Sequence, residues 1–542
     1  MNQQTDFSRP RQRSSREGFV LILVLVLVSA MALAVYTFSG VAVENLIAGT
    51  SGLQQTRRRH LAESAIEFAA VRLAKSQSEM IDQVEEMSFP DGTNGRFLLL
   101  QQQPTGSFRP PGGLMDECGR LNLNSLSLRI SRRRQSRNRL LALPGMTPVI
   151  ADSILDWMDD DDEESEFGAE SSWYLTRTPP RYPANGPIRD LSELLHVRGM
   201  TPELLWGEDA NGNGVLDPQE DDGNRSLPRD NADGRLDAGF SQWLTLSSAE
   251  SELRSDGQQG VWLNSDDPAA MYDAVLSKFG SETALYLLAA RLNGIRWSDQ
   301  AAVSPTMAAE MRRLERLEEV QERLRAQLGL DQRKQPRFQP TMRGGVSINS
   351  PGIYRFRSLL DLFGGTVRVL LEGKDRVLKS PWAADAGTIE RMLPELQEFF
   401  RIGEEPVAVG RVNINSAPLP VLMSVPGISR SLATAILRGQ PQPGEPIPAD
   451  QSSVSWLLRR GLISPSELRQ MAPFITTRGD VYRGVAVGLI EGERSAAMIQ
   501  FVLDVTGFQH RLVSFQELQP ESAARLKLPW QKRRGQSTDG HR

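Results

Sequence analysis

Cysteine is nearly missing from this sequence. Among 542 residues only Cys118 carries a thiol, so no intrachain disulfide can form. Histidine is almost as scarce. His60, His196, His510 and His541 are the four present, and none makes a metal or triad pattern with its neighbours. With no paired base, nucleophile or phosphate-cradling loop beside them, an enzyme is not expected. Positive charge is not in excess either. Lys and Arg number 62 against 67 for Asp and Glu, a net charge of −5. That balance argues against nucleic acid as the main partner, because a phosphate-binding surface needs a basic excess. The remaining composition is that of a globular protein, 39% hydrophobic and 24% charged. The length implies about two to four domains.

A third absence is local. From Phe19 to Phe38 there is no charge at all, and only Ser29 and Thr37 interrupt the apolar run. As a helix it spans roughly 30 Å, enough to cross a bilayer. Arg9, Arg11, Arg13 and Arg16 precede it, which keeps that end inside and puts everything after residue 40 outside. Three fates fit the run. A conventional signal is cut after Ala32-Leu33-Ala34. A plain anchor is not cut. A leader of the type IV prepilin kind is cut before the run, between Gly18 and Phe19, and the helix stays in the mature chain. The helical spacing of apolar residues continues from Leu61 to Leu73. An apolar first half followed by an amphipathic second half favours the third fate.

Two segments share one form. LLALPGMTPVIADSILDW (140–157) and LMSVPGISRSLATAILRG (422–439) each pass from a helix end through Pro-Gly to a new helix. Thr147 and Ser429 stand at the caps. Such helix-hairpin-helix units grip phosphate in some DNA-binding proteins, so a membrane-anchored DNA-binding protein of the competence type is the alternative reading. Against it, no Lys or Arg follows the first turn, and Asp152 and Asp156 lie beyond it. Two helix pairs packing a helical domain fit better.

Directly after the first hairpin comes an acidic run. Asp156 and Asp159 to Glu164 place seven carboxylates in nine residues, with Glu166 and Glu170 beyond. Hard oxygen ligands at this density suit Ca²⁺ rather than a transition metal. Asp159, Asp161, Asp162 and Glu170 are the candidate ligands. A second candidate is DANGNGVLDPQE (209–220), which fits the calcium-loop pattern at every required position. Asp209, Asn211 and Asn213 offer side chains and Val215 its carbonyl. Asp217 takes the ninth position and Glu220 closes the loop. RDNADGRLDAGF (229–240) is a degenerate echo in which Asp230, Asp233 and Asp237 are available to a shared site.

Elsewhere the pattern is coarser. Residues 96–102 read as a strand, Met307 to Leu328 as a charged amphipathic helix, and 366–371 as the clearest strand of the middle. DVYRGVAVGLIEGERSAAMIQFVLDV followed by HRLVSFQEL reads as alternating strands joined at a Glu-Gly turn.

Four pieces together resemble one family. They are the Gly18-Phe19 leader, DECGRLNLNSL (116–126), the stretch from Asp156 to Leu205 and GRVNINSAPLPVLMSVPGISRSLATAILRG (410–439). In this order they resemble the type II secretion system protein K family, a minor pseudopilin. The resemblance implies an α+β fold: an N-terminal transmembrane spine helix, an antiparallel pseudopilin sheet, and a large inserted, mainly helical domain with helix-hairpin-helix-like units. It implies a leader at 1–18, a spine at 19–85 and the first sheet strands at 86–125. The inserted domain covers 126–440, with 240–380 read as a further insertion. A helix and closing strands fill 441–520, and 521–542 is a disordered tail. It further implies Ca²⁺ in the helical domain, prepilin peptidase and other minor pseudopilins as partners, an inner-membrane location, and a place at the pseudopilus tip. Most pseudopilins carry a glutamate five residues into the mature chain; Leu23 stands there, as in protein K members. The family's Glu-Asp pair after Gly-Ala is here Glu170-Ser171, a departure that removes one ligand.

Overall fold

The computed structural model describes residues 16–74, 84–102, 108–109, 114–128, 130–212, 214, 216–223, 225, 229–297, 340–371, 373–441, 447–493 and 495–518. The helix expected at Met307–Leu328, the leader before Arg16 and the tail at 521–542 lie outside these residues.

The N-terminal run forms α1 (Arg16–Ala74). Its first part is exposed along its length, and among the described residues it is the helix long and apolar enough to cross a membrane. Its last part does different work. Leu61, Ala62, Ala65, Ile66, Ala69 and Ala70 are buried, a spacing that puts them on one helix face. That face lies on an antiparallel sheet. Burying Leu61 and Ile66 contributes about 1.5–3 kcal/mol each; the alanines let the backbones approach.

The sheet is built from both ends of the chain. Its strands are β1 (Glu85–Ser88), β2 (Asn94–Gln102), β3 (Phe108–Arg109), β4 (Met115–Asp116), β5 (Val481–Ile490), β6 (Ala496–Asp504) and β7 (Arg511–Glu517). The order is β1-β2-β5-β6-β7, with β3 on β2 and β4 on β5. β5 is central, pairing Ala486 with Leu99 on one side and with Ile499 on the other. Those three residues face α1, with Phe97, Phe501 and Leu503. Gly488 of β5 lies directly under the helix, where a Cβ would run into the Arg58 carbonyl. Arg57–Asp91 at 2.7 Å and Arg58–Glu493 tie the helix to the two flanking turns.

Between β4 and β5 sits the inserted domain, which holds two apolar cores. One gathers residues from Leu121 to Leu244. The other gathers residues from Leu263 to Ile475. Each core contains one Pro-Gly hairpin. The first is α2 (Ile130–Leu141) and α3 (Pro148–Met158). The second follows two longer elements, α4 (Pro268–Asn293, two helices joined at Gly280) and α5 (Ala386–Phe399), and comprises α6 (Leu419–Met423) and α7 (Arg430–Gly439). The α+β architecture read from the sequence is therefore the observed one: an apolar helix, an antiparallel sheet and a large, mainly helical insertion. The chain leaves the sheet at Asp116 and rejoins it at Val481, and the helices at 456–471 pack into the second core.

Candidate metal centre

The first hairpin positions the site. Gly145 and its counterpart Gly427 turn the chain with φ of +78° and +91°, a region glycine enters without strain. Thr147 Oγ1 accepts from Ile150 N at 3.3 Å, and Ser429 Oγ accepts from Leu432 N at 3.3 Å, so both expected caps are present. α3 then buries Ile150, Ile154, Leu155 and Met158. Its polar face turns to α2. Arg137 Nε donates to Asp152 at 2.5 Å, and Arg133 donates to both Asp156 and Asp159.

α3 ends at Met158, with Asp159 as its C-cap. The chain loops out through the acidic run and returns at Gly168. A Cβ at Gly168 would overlap the Asp156 carboxylate, so the return path closes down on that side chain. The closure brings Glu170 to Asp156 and Asp159. One carboxylate oxygen from each of the three lies within 4.8 Å of the others. Their exposures are 0%, 3% and 1%. Three carboxylates and one guanidinium leave this buried pocket with excess negative charge.

The hydrogen-bonding of the three is unequal. Asp156 accepts from Ser165 N at 3.1 Å and Ser165 Oγ at 2.7 Å. Among the described residues neither oxygen of Glu170 meets a donor, and Oδ1 of Asp159 meets none. Burial, together with the Asp159 and Asp156 charges, pushes the Glu170 carboxyl up to about 8. Burial also pushes Asp159 up to about 6, against the pull of Arg133. Asp156 is raised too, chiefly by burial and against its Ser165 hydrogen bonds. An all-oxygen set with unsatisfied lone pairs fits a hard divalent cation. Asp156, Asp159 and Glu170 are the residues that would hold it.

Of the ligands read from the acidic run, Asp159 and Glu170 meet here. Asp161 and Asp162 do not join them. Both are exposed; Asp161 accepts from Glu163 N at 2.9 Å and Asp162 from Ser171 Oγ at 2.8 Å. Asp156 is the member not read as a ligand. Its i, i+3 spacing to Asp159 was the available signal.

The second candidate is differently arranged. Asp209 and Glu220 are buried. Asp209 Oδ2 accepts from Gly214 N at 2.8 Å, joining the first and sixth loop positions. The Glu220 oxygens accept from Ala210 N and Asp217 N, each at 3.0 Å. Asn211 Nδ2 donates to Asp217 Oδ2 at 2.9 Å. Asn213 and Val215 lie outside the described residues. The echo loop is knitted to the turn that follows the first loop: Asp230 accepts from Gly223 N at 2.7 Å and Asp221 from Gly234 N at 3.1 Å. Asp233 and Asp237 accept from Arg235 N at 2.9 Å and Gly239 N at 3.0 Å. Carboxylates here cap backbone N–H groups. At the other end of the molecule, Gly18 lies within α1, and Phe19 and Leu23 are exposed on it.

Residues 119–206, which contain the first hairpin and the whole buried cluster, match the family model described as type II secretion system (T2SS), protein K. Over 60 residues the chain is 40% identical to the putative type II secretion system protein K of Escherichia coli strain K12. Both of these matches, each over part of the chain, are to the type II secretion system protein K family. The K12 match covers 11% of this chain and 18% of that protein, so this chain spans about a fifth of the length of the curated relative it matches. A solved structure, the GspK-GspI-GspJ complex of the enterotoxigenic Escherichia coli type 2 secretion system, aligns over 87% of this chain and 99% of its own. The identity there is 11% and the TM-score 0.34.

Proposed function

We propose that this protein is a minor pseudopilin that caps the tip of the type II secretion pseudopilus together with other minor pseudopilins. The observation that carries the reading is the protein K match across residues 119–206. α1 lying on an antiparallel sheet is in keeping with a spine that packs among partner spines. The role is assembly rather than chemistry. In this reading prepilin peptidase cuts between Gly18 and Phe19, Phe19 becomes a methylated N-terminus, and the apolar half of α1 anchors the chain in the inner membrane. The head then lies in the periplasm. Leu23 leaves the spine without the carboxylate that would need a partner inside the bilayer. Ca²⁺ at Asp156, Asp159 and Glu170 would neutralise the excess charge and fix the head; the Asp209–Glu220 loop is a second candidate for the same ion. The test is mass spectrometry of the N-terminus of protein purified from membranes. An N-methylated Phe19 is expected. A chain starting at Val35 would mean conventional secretion and overturn the proposal.

A further inference from the structure

The point where the inserted domain joins the sheet is crowded with charge. The chain leaves through Asp116 and returns through Asp480; the strand at 249–251 meets Asp480 and the strand at 412–413 meets Asp116. Most carboxylates here have a guanidinium. Glu117 accepts from Arg483 Nε at 2.7 Å, with Arg120 at 3.7 Å. Glu250 and Glu252 meet Arg411 at 3.2 and 2.8 Å. Asp480 accepts from Ser251 N at 2.7 Å; burial raises its carboxyl, and Arg478 pulls it back toward the charged form.

Asp116 is different. Its oxygens accept from Cys118 N at 2.8 Å and Asn413 Nδ2 at 2.6 Å, both neutral donors. Among the described residues no cation pairs with it. The groups facing it are unhelpful to a charge: Glu117 and Cys118 from its own segment, and Asp480 and the Tyr482 hydroxyl from the returning strand. The carboxylate is also packed against Gly479, where a Cβ would overlap it.

We propose that Asp116 is a proton-controlled latch between the sheet and the inserted head. Protonated, it sits among the junction's carboxylates without adding charge. Ionised, it places an unpaired negative charge where the chain crosses in and out of the sheet, and the crossing loosens. Burial, joined by the Asp480 and Glu117 charges, pushes its carboxyl up to about 7 against the two hydrogen bonds it accepts. An acid raised in the folded state gives its full stability below its ordinary range. That stability is lost as pH climbs through the folded value.

The test is hydrogen exchange of the full-length chain in detergent, read on peptides covering 412–415 and 476–483 and corrected for the intrinsic rate. In the wild type the opening equilibrium is expected to rise by up to about tenfold per pH unit between about pH 5 and about pH 7, then flatten. Asp116→Asn is expected to remove most of that slope, leaving the smaller part that Asp480 contributes. Asn413→Asp, which sets a second carboxylate against the first, is expected to steepen it, and serves if the first variant does not fold. A flat wild-type profile, an Asp116→Asn profile that keeps the slope, or an Asn413→Asp profile unchanged from wild type would each overturn the latch.

Discussion

Two acidic sites in the head were both legible as calcium ligands, and they have opposite internal chemistry. In the Asp209–Glu220 loop each carboxylate oxygen described above already holds an N–H donor. Glu220 alone takes two backbone groups. In the cluster at the end of α3, the Glu170 oxygens face other carboxylates and, among the described residues, no donor. The loop matches a sequence pattern; the cluster has the unsatisfied electrostatics. Spacing in sequence says which residue types are near one another. Burial and donor supply say which of them need a cation.

The largest effect should come from Arg133, the guanidinium against Asp156 and Asp159. Arg133→Gln without calcium leaves the cluster's charge uncompensated and should cost about 3 kcal/mol or somewhat more, measured by denaturant unfolding. Added calcium should recover much of that loss. If it recovers none, the cluster is an ion pair and not a cation site.

Glu170→Gln should separate the two sites by sign. Without calcium, at a pH above about 8 where Glu170 is ionised, it removes a buried, unpaired charge and should raise stability. With calcium, the wild type should gain about 2.7 kcal/mol at a hundredfold excess over its dissociation constant, and the variant should gain far less. Thermal melts with and without chelator would show it. A variant that loses stability without calcium would contradict the account of an uncompensated carboxylate.

Glu220→Gln should cost less, about 1–2 kcal/mol, because it weakens charge-assisted bonds to two N–H groups. It should leave most of the calcium-dependent gain in place. Should it abolish that gain, the ranking of the two sites is reversed. The smallest effect belongs to the exposed members of the run. Asp161→Asn and Asp162→Asn should each stay within about 0.5 kcal/mol with or without calcium.

Much of the frame was legible because it is written locally. The apolar run before Phe38, the alternation in 481–504 and the caps at Thr147 and Ser429 each depend on neighbours within a few residues. The site was half legible for the same reason. Asp159 and Glu170 stand out in an acidic run, but Arg133 comes from α2, 23 residues before Asp156. Asp156 itself reads as an ordinary helix residue until Gly168 folds back over it. The junction was not legible at all. Asp116 finds its donor on Asn413, 297 residues away, and no local pattern announces such a meeting.

The most direct measurement is calorimetric titration of calcium into the chelator-treated full-length chain, repeated for Glu170→Gln and Glu220→Gln. The account predicts binding in the wild type that Glu170→Gln removes and Glu220→Gln largely keeps. Binding unchanged in Glu170→Gln and lost in Glu220→Gln would place the cation in the loop and contradict the claim that the buried cluster is the site.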